Sequence, residues 1–426
     1  MSRPSSQSVQ APRHRFHYAW CVLATGTLVV FGSLGLARFS YTMLLPAMQD
    51  GLGLSHAQAG ALATANLIGY LVLAVSGGAL ASRYGPRLVI AAGLALAGLA
   101  MILTGMAQGF AGAAVWRALA GIGSGASNVP AMGLLAAWFA PRRRGLAAGI
   151  GVTGSSLALI GLGPGVPYLL ALFGEPGWRI CWFLFGGGTL LLALLAFAVL
   201  RDSPAVLGLR PLGAPPEASA PSVPPAAAGR TGLRWGTVYR SPAILVLGGV
   251  YVAFGFSYIV YITFFTQYLI TVGGYTTAAA GRLYMLVGWC SLLCGLLWGT
   301  VSDVIGRKGA LFIVYTIHTV AFALFALWPS PAGFTLSAVL FGLTAWSIPA
   351  IVAAACGDIL GSRLAPAGLG FVTLFFGVGQ AAAPGVAGLL ADAVRSLAPA
   401  MLLAAAIAAL GALGSLLLRS APVEAD

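Results

Sequence analysis

Three arginines interrupt apolar runs: Arg38 in GSLGLARFSYTMLLP, Arg117 in WRALAGIGSGASN and Arg282 in AAGRLYMLVGW. A guanidinium is a permanent cation whose planar fork of N–H donors suits bidentate recognition of a carboxylate or phosphate. At helical spacing Arg38 shares a face with Tyr41 and Thr42, and Arg117 with Gly121, Ser124 and Asn128. Asn66, Tyr70, Trp346 and Gln380 are further polar side chains in apolar surroundings, as are the tyrosines Tyr251, Tyr258, Tyr261 and Tyr268. The nine acids all lie at the ends of the apolar runs or between them: Asp50, Glu175, Asp202, Glu217, Asp303, Asp358, Asp392, Glu424 and Asp426. The arginines therefore lack carboxylate partners of their own, and the chemistry this points to is capture of an anion from solution.

The elements that must position these groups are apolar helices. The chain has 426 residues, 59% hydrophobic and 7% charged, with a mean hydropathy of +0.94. A soluble domain of this size needs more charge to cover its surface. Apolar runs recur at 18–47, 55–82, 88–108, 110–138, 145–172, 178–201, 241–272, 278–303, 309–328, 332–361, 367–392 and 397–419. Each is long enough to cross a hydrocarbon core of about 30 Å. The expected architecture is an all-α membrane protein with twelve transmembrane helices. The first run is too long for the core of a signal peptide and leads directly into further spans, so it reads as a retained helix.

Charge sets the expected orientation. Of the 22 Lys and Arg, all but Arg38, Arg117, Arg179, Arg282 and Arg395 fall on one side of the alternating spans. That is the positive-inside pattern; it predicts cytoplasmic N- and C-termini in a bacterial inner membrane. The net charge of +13 is not gathered into one arm or patch, which argues against nucleic acid as a partner. Cys21, Cys181, Cys290, Cys294 and Cys356 all lie within spans and read as small packing residues. No metal-ligand cluster, nucleotide loop or catalytic triad stands out, so no cofactor and no enzymatic activity are expected.

The chain also reads as one half written twice. Residues 1–17 form an N-terminal tail, 18–201 a first six-helix bundle, 202–240 a Pro- and Ala-rich linker, 241–419 a second bundle and 420–426 a C-terminal tail. GALASRYGPR at 78–87 aligns with GTVSDVIGRK at 299–308, setting Gly78, Gly85 and Arg87 on Gly299, Gly306 and Lys308. Two pseudo-symmetric halves joined by a loop predict a ligand path along the interface between them.

At these residues the chain resembles the major facilitator superfamily. GTVSDVIGRK is similar to the superfamily's loop motif after the second and eighth helices, GWRICWFLFG at 177–186 to the entry of its sixth helix, and RALAGIGSG at 117–125 to its fourth-helix Arg-Gly motif. GLARFSYTMLLPAM, ANLIGY and AGRLY resemble the bacterial YbfB/YjiJ-type branch, with the oxalate/formate and monocarboxylate branch a more distant neighbour. The latter's eighth-helix arginine would fall on Gly295 here. The resemblance implies a monomeric secondary transporter working by alternating access, with the first, fourth, seventh and tenth helices lining the path.

Together these readings give an expected substrate site of Arg38, Tyr41, Asn66, Tyr70, Arg117, Asn128, Tyr258, Tyr261, Arg282, Trp346 and Gln380, taking a small organic anion such as a carboxylate. The alternative for each arginine is snorkelling to the outer headgroups, and for the tyrosines it is packing. Arg83, Arg87, Asp303, Arg307, Lys308 and Asp358 form the expected cytoplasmic gate. Within it the resemblance makes Asp303, Arg307 and Asp358 a latch, while a topogenic role for Arg307 and Lys308 is the alternative. A proton-coupled exporter of drugs or metabolites is the second functional expectation, weakened by the lack of acids inside spans. A transporter-like membrane sensor is the third.

Overall fold

The computed structural model describes residues 17–214 and 238–418, and it is nearly all helical. The helices are α1 (Ala19–Leu52), α2 (His56–Tyr84), α3 (Pro86–Met106), α4 (Phe110–Trp138), α5 (Pro141–Phe173) and α6 (Gly177–Val199). After the linker come α7 (Pro242–Thr271) and α8, which runs as Thr277–Ser291 and Cys294–Ile305 about a break at Leu292 and Leu293. The last four are α9 (Arg307–Leu327), α10 (Pro331–Gly361), α11 (Ala367–Val394) and α12 (Ala398–Ser415). Among the described residues, ten segments are long and apolar enough to cross a membrane. The two helices outside that set are α4, which carries Arg117, and the broken α8. Residues 1–16 of the expected N-terminal tail, 215–237 of the expected linker, 419 at the end of the second bundle and the expected C-terminal tail at 420–426 lie outside the described residues.

The outer circumference explains the composition. Leu99, Val115, Leu184, Leu191, Leu194, Leu327, Leu389 and Leu410 are all exposed. A ring of large apolar side chains on the surface is stable only against lipid, so this is a multi-pass membrane protein. Inside, helices pack first within their own half: α2 and α3 on α4, α3 on α6, α7 on α11 and α12, α9 on α12. The halves then meet through α2 against α11, α5 against α8, and the outer part of α1 against α7.

The duplication is visible in the backbone. Gly85 between α2 and α3 has φ +85°, and Gly306 between α8 and α9 has φ +81°. A tight helix-to-helix turn needs that left-handed conformation, which only glycine adopts without strain. The basic side chains cluster at the end of the molecule carrying these turns, called here the basic end. The opposite end, with the turns at 53–55, 174–176 and 272–276, is the far end.

One expectation changes here. Residues 202–214 are not free linker: they form a short turn at Pro204–Leu207. The Leu212 amide donates to the Trp138 carbonyl at 2.9 Å and the Ala140 amide to the Leu212 carbonyl at 3.1 Å. The linker thus starts by bracing the basic end of α4 and α5.

Candidate functional site

Between the halves lies a cavity of about 690 Å³, within the range of small-molecule sites. It runs from Arg38, Tyr258 and Gln380 towards the basic end, where Gly145, Leu146 and Ala353 line it. Its wall is mostly apolar, with Phe39, Phe254, Trp346 and Phe376 prominent. Arg38 is the charged side chain in that wall among the described residues.

Arg38 reaches the cavity because α1 is locally widened. Residues Phe31–Phe39 form a π-helical segment, in which hydrogen bonds span five residues rather than four. Such a turn frees carbonyls that must find other donors. Ser40 Oγ donates to the Leu36 carbonyl at 2.5 Å, Arg117 Nη1 to the Ala37 carbonyl at 2.7 Å, and Tyr284 Oη to the Phe39 carbonyl at 2.9 Å. The widened turn is therefore held by one group from α4 and one from α8. Gly35 lies against Ala158 of α5 so closely that a side chain there would collide at 2.1 Å.

Arg38 Nη2 donates to Tyr258 Oη at 2.7 Å, and Gln380 Nε2 donates to the same oxygen. The Tyr258 proton is thus left free to donate to a ligand. Tyr258 is stacked on Phe254, ring centroids 4.6 Å apart, and parallel to Phe376 at 6.1 Å. On the other wall Asn128 Nδ2 donates to Tyr70 Oη at 3.0 Å, and the Tyr70 ring lies 5.8 Å from the Arg38 guanidinium. Trp346 Nε1 donates to Ser156 Oγ at 3.2 Å, and Ser291 Oγ donates to Ser156 at 2.8 Å, so α5, α8 and α10 meet at the cavity side. The geometry suits an anionic head against Arg38 and Tyr258 and an apolar body along the aromatic wall.

The expected residues divide accordingly. Arg38, Tyr70, Asn128, Tyr258, Trp346 and Gln380 line the cavity. Tyr41 donates instead to the Ala59 carbonyl at 2.7 Å, Asn66 donates to the Arg117 carbonyl at 3.0 Å, and Arg117 is buried behind the widened turn. Tyr261 is turned into the second half, within 2.8 Å of Ser337 Oγ and among Phe322, Phe325 and Phe341. The reason is phase: three residues after Tyr258 along an α-helix is about 60° short of a full turn. Arg282 is exposed on α8, outside the cavity.

At the expected gate, Arg307 meets both acids of the expected latch. Arg307 donates from Nη1 to Asp303 at 2.5 Å and from Nε to Asp358 at 2.9 Å. These groups belong to α8, α9 and α10, all of the second half, so the triad does not bridge the halves. In the first half the Arg87 amide donates to Asp202 Oδ1 at 2.8 Å and its guanidinium lies 4.3 Å from the Phe197 ring. An acid from beyond α6 thus stands where the sequence shows none locally. Arg83 is exposed beside Tyr84, and Lys308 is half-buried.

The far end carries contacts that sequence reasoning did not single out. Asp392 of α11 accepts from the amides of His56 at 2.9 Å and Ala57 at 2.8 Å, capping the start of α2 across the interface. Gln267 of α7 donates to Gln49 and lies within 3.1 Å of His56 Nδ1. Asp392 looks like a loop acid in sequence; its partner is more than 330 positions away. Polar contacts thus join the halves at the far end, while the cavity extends between them towards the basic end.

The family model of the Major Facilitator Superfamily matches residues 27–353. The chain is 25% identical over 395 residues to the Cupriavidus necator protein named "Probable sulfoacetate transporter SauU", covering 89% of each. It is 27% identical to a hexuronate transporter of Bacillus subtilis, over 65% of this chain and 64% of that one. To the oxalate:formate antiporter of Oxalobacter formigenes it is 26% identical, over 72% and 68% respectively. The crystal structure of a bacterial homolog to the human lysosomal transporter Spinster, inward-facing and unoccupied, superposes with a TM-score of 0.75 at 17% identity, over 96% of this chain and 98% of that one.

Proposed function

The chain belongs to the major facilitator superfamily, and on that premise we propose that it is a secondary transporter of small organic anions, working by alternating access. The observation that carries the reading is Arg38: a guanidinium at the head of the interface cavity, bonded to Tyr258, with no carboxylate in the cavity wall among the described residues. A charge held at this depth costs several kcal/mol unless it meets a cavity or a partner, and a carboxylate offers both charge and bidentate geometry. The names of the relatives support the class: sulfoacetate, hexuronate and oxalate or formate are all organic anions. The aromatic wall adds a preference for anions with an apolar body.

The proposal extends to topology. The basic end faces the cytoplasm of a bacterial inner membrane, with residues 18–201 and 241–419 as the two rocking bundles. Substrate then enters or leaves on the cytoplasmic side in the state described here.

The test is a thermal-shift screen of the purified protein against organic anions, cations and neutral solutes, with Arg38→Gln in parallel, followed by flux in proteoliposomes with the ligand found. A ligand that binds only the folded state raises its apparent stability. Stabilisation by a carboxylate or sulfonate, reduced about 100-fold or more in affinity by Arg38→Gln, is the expected result. Stabilisation by organic cations, or anion binding that survives the substitution, overturns it. The apolar lining also favours a second reading, export of amphipathic compounds; cation stabilisation together with pH-driven dye efflux selects that one.

A further inference from the structure

Arg38 borders a second pocket, much smaller than the cavity and on its far-end side. It measures about 20 Å³ and is walled by Tyr41, Thr42, Asn66, Arg117 and Thr263 as well as Arg38. Arg38 is 9% exposed and Arg117 1% exposed. Arg38 Nη2 is committed to the Tyr258 hydroxyl and Arg117 Nη1 to the Ala37 carbonyl. The Nε–H of each is buried with no hydrogen-bond partner. No carboxylate lines the pocket among the described residues.

We infer that this pocket binds a single halide-sized inorganic anion, held between the Nε–H groups of Arg38 and Arg117. Size sets the occupant: a water-sized guest needs about 10–15 Å³, so one monatomic ion fits and a carboxylate-bearing solute does not. Charge selects among guests of that size. The ring faces of Tyr41 at 4.7 Å and Trp182 at 5.1 Å stabilise the Arg117 cation. They leave unanswered the repulsion between two like charges in a medium of low dielectric. Water satisfies the donors but offsets that repulsion only through its dipole, whereas an anion offsets it with a full charge. The ion would hold Arg38 aimed at the cavity while the organic-anion position is vacated. This site shares Arg38 with the organic-anion reading, but its size and its second guanidinium stand without that reading.

The test titrates the purified full-length protein with potassium bromide or, at matched ionic strength, potassium sulfate, and reads the apparent melting temperature. Three forms are compared: wild type, Arg117→Gln, and Ala63→Val, which fills the pocket wall without removing a charge. Sulfate generally strengthens folded states, so a saturable rise with bromide runs against the non-specific trend. The expected result is that rise in wild type and its loss in Ala63→Val, with an anomalous bromide peak between the two guanidinium groups in crystals. Equal or lower melting in bromide without a peak means water alone and overturns the inference. A bromide effect that persists in both variants places the halide elsewhere and also overturns it. Should either variant fail to fold, the wild-type anomalous peak decides alone. Organic-anion stabilisation is scored separately in halide-free buffer, so either reading can fail by itself.

Discussion

Arg38 Nη2 and Tyr258 Oη meet at 2.7 Å, so a single hydrogen bond ties α1 of the first half to α7 of the second at the head of the cavity. Because Gln380 donates to the same oxygen, the phenol accepts twice and keeps its proton for a ligand. Tyr258→Phe removes the acceptor and the free donor while keeping the stack on Phe254. Affinity for the organic anion should fall about tenfold, the scale of one hydrogen bond to a charged group. Isothermal titration with the ligand from the screen measures it; unchanged affinity would assign Tyr258 to packing alone.

Asp392 holds the far end shut by accepting two amides at the start of α2. A charge-assisted cap of this kind contributes about 1–2 kcal/mol. Asp392→Ala should therefore move the population towards the far-end-open state by roughly 5- to 30-fold. Spin labels on the far ends of α2 and α11, read by pulsed electron resonance, report the distance; identical distributions in both proteins would remove Asp392 from the gate.

Backbone approach across the interface is equally specific. A Cβ on Gly60 would sit 2.0 Å from the Pro384 carbonyl oxygen, and one on Gly281 2.1 Å from that of Gly163. Neither contact lies within a half. Gly60→Val should thus leave each bundle folded but wedge the far end, lowering thiol-probe access to cysteines placed at the basic end and stopping transport. Full access with normal flux would mean that the helices yield without cost.

The Asp303–Arg307–Asp358 triad makes the opposite expectation. Its carboxylates are 66% and 44% exposed and its members share one half. Exposed pairs contribute about 0–1 kcal/mol, so Asp303→Asn should lower stability slightly and leave basic-end probe access unchanged within about twofold. A large increase in access would instead make the triad a latch that holds the basic end.

Arg282 is exposed on α8, away from the cavity. Arg282→Gln should keep organic-anion affinity and flux within about twofold of wild type, since surface substitutions act weakly. Loss of binding, measured in the same titration, would bring Arg282 into the path.

Hydropathy, charge alternation and the repeat at 78–87 and 299–308 determined the membrane class, the twelve helices and the duplicated plan, because the bilayer allows few ways to satisfy a backbone. The sequence also isolated Arg38 as a cation without an acid beside it. What it did not determine was rotation about each helix axis. Next to the widened turn at Phe31–Phe39, Tyr41 shares only the small far-end pocket with Arg38 and spends its hydroxyl on the Ala59 carbonyl. Arg117 looks equivalent to Arg38 along the chain, yet the fold spends its fork on the Ala37 carbonyl that this turn releases. Asp392 and His56 are neighbours only because the halves close over the far end. Local pattern fixes which side chains enter the membrane; the packing of one half on the other decides which of them face the ligand.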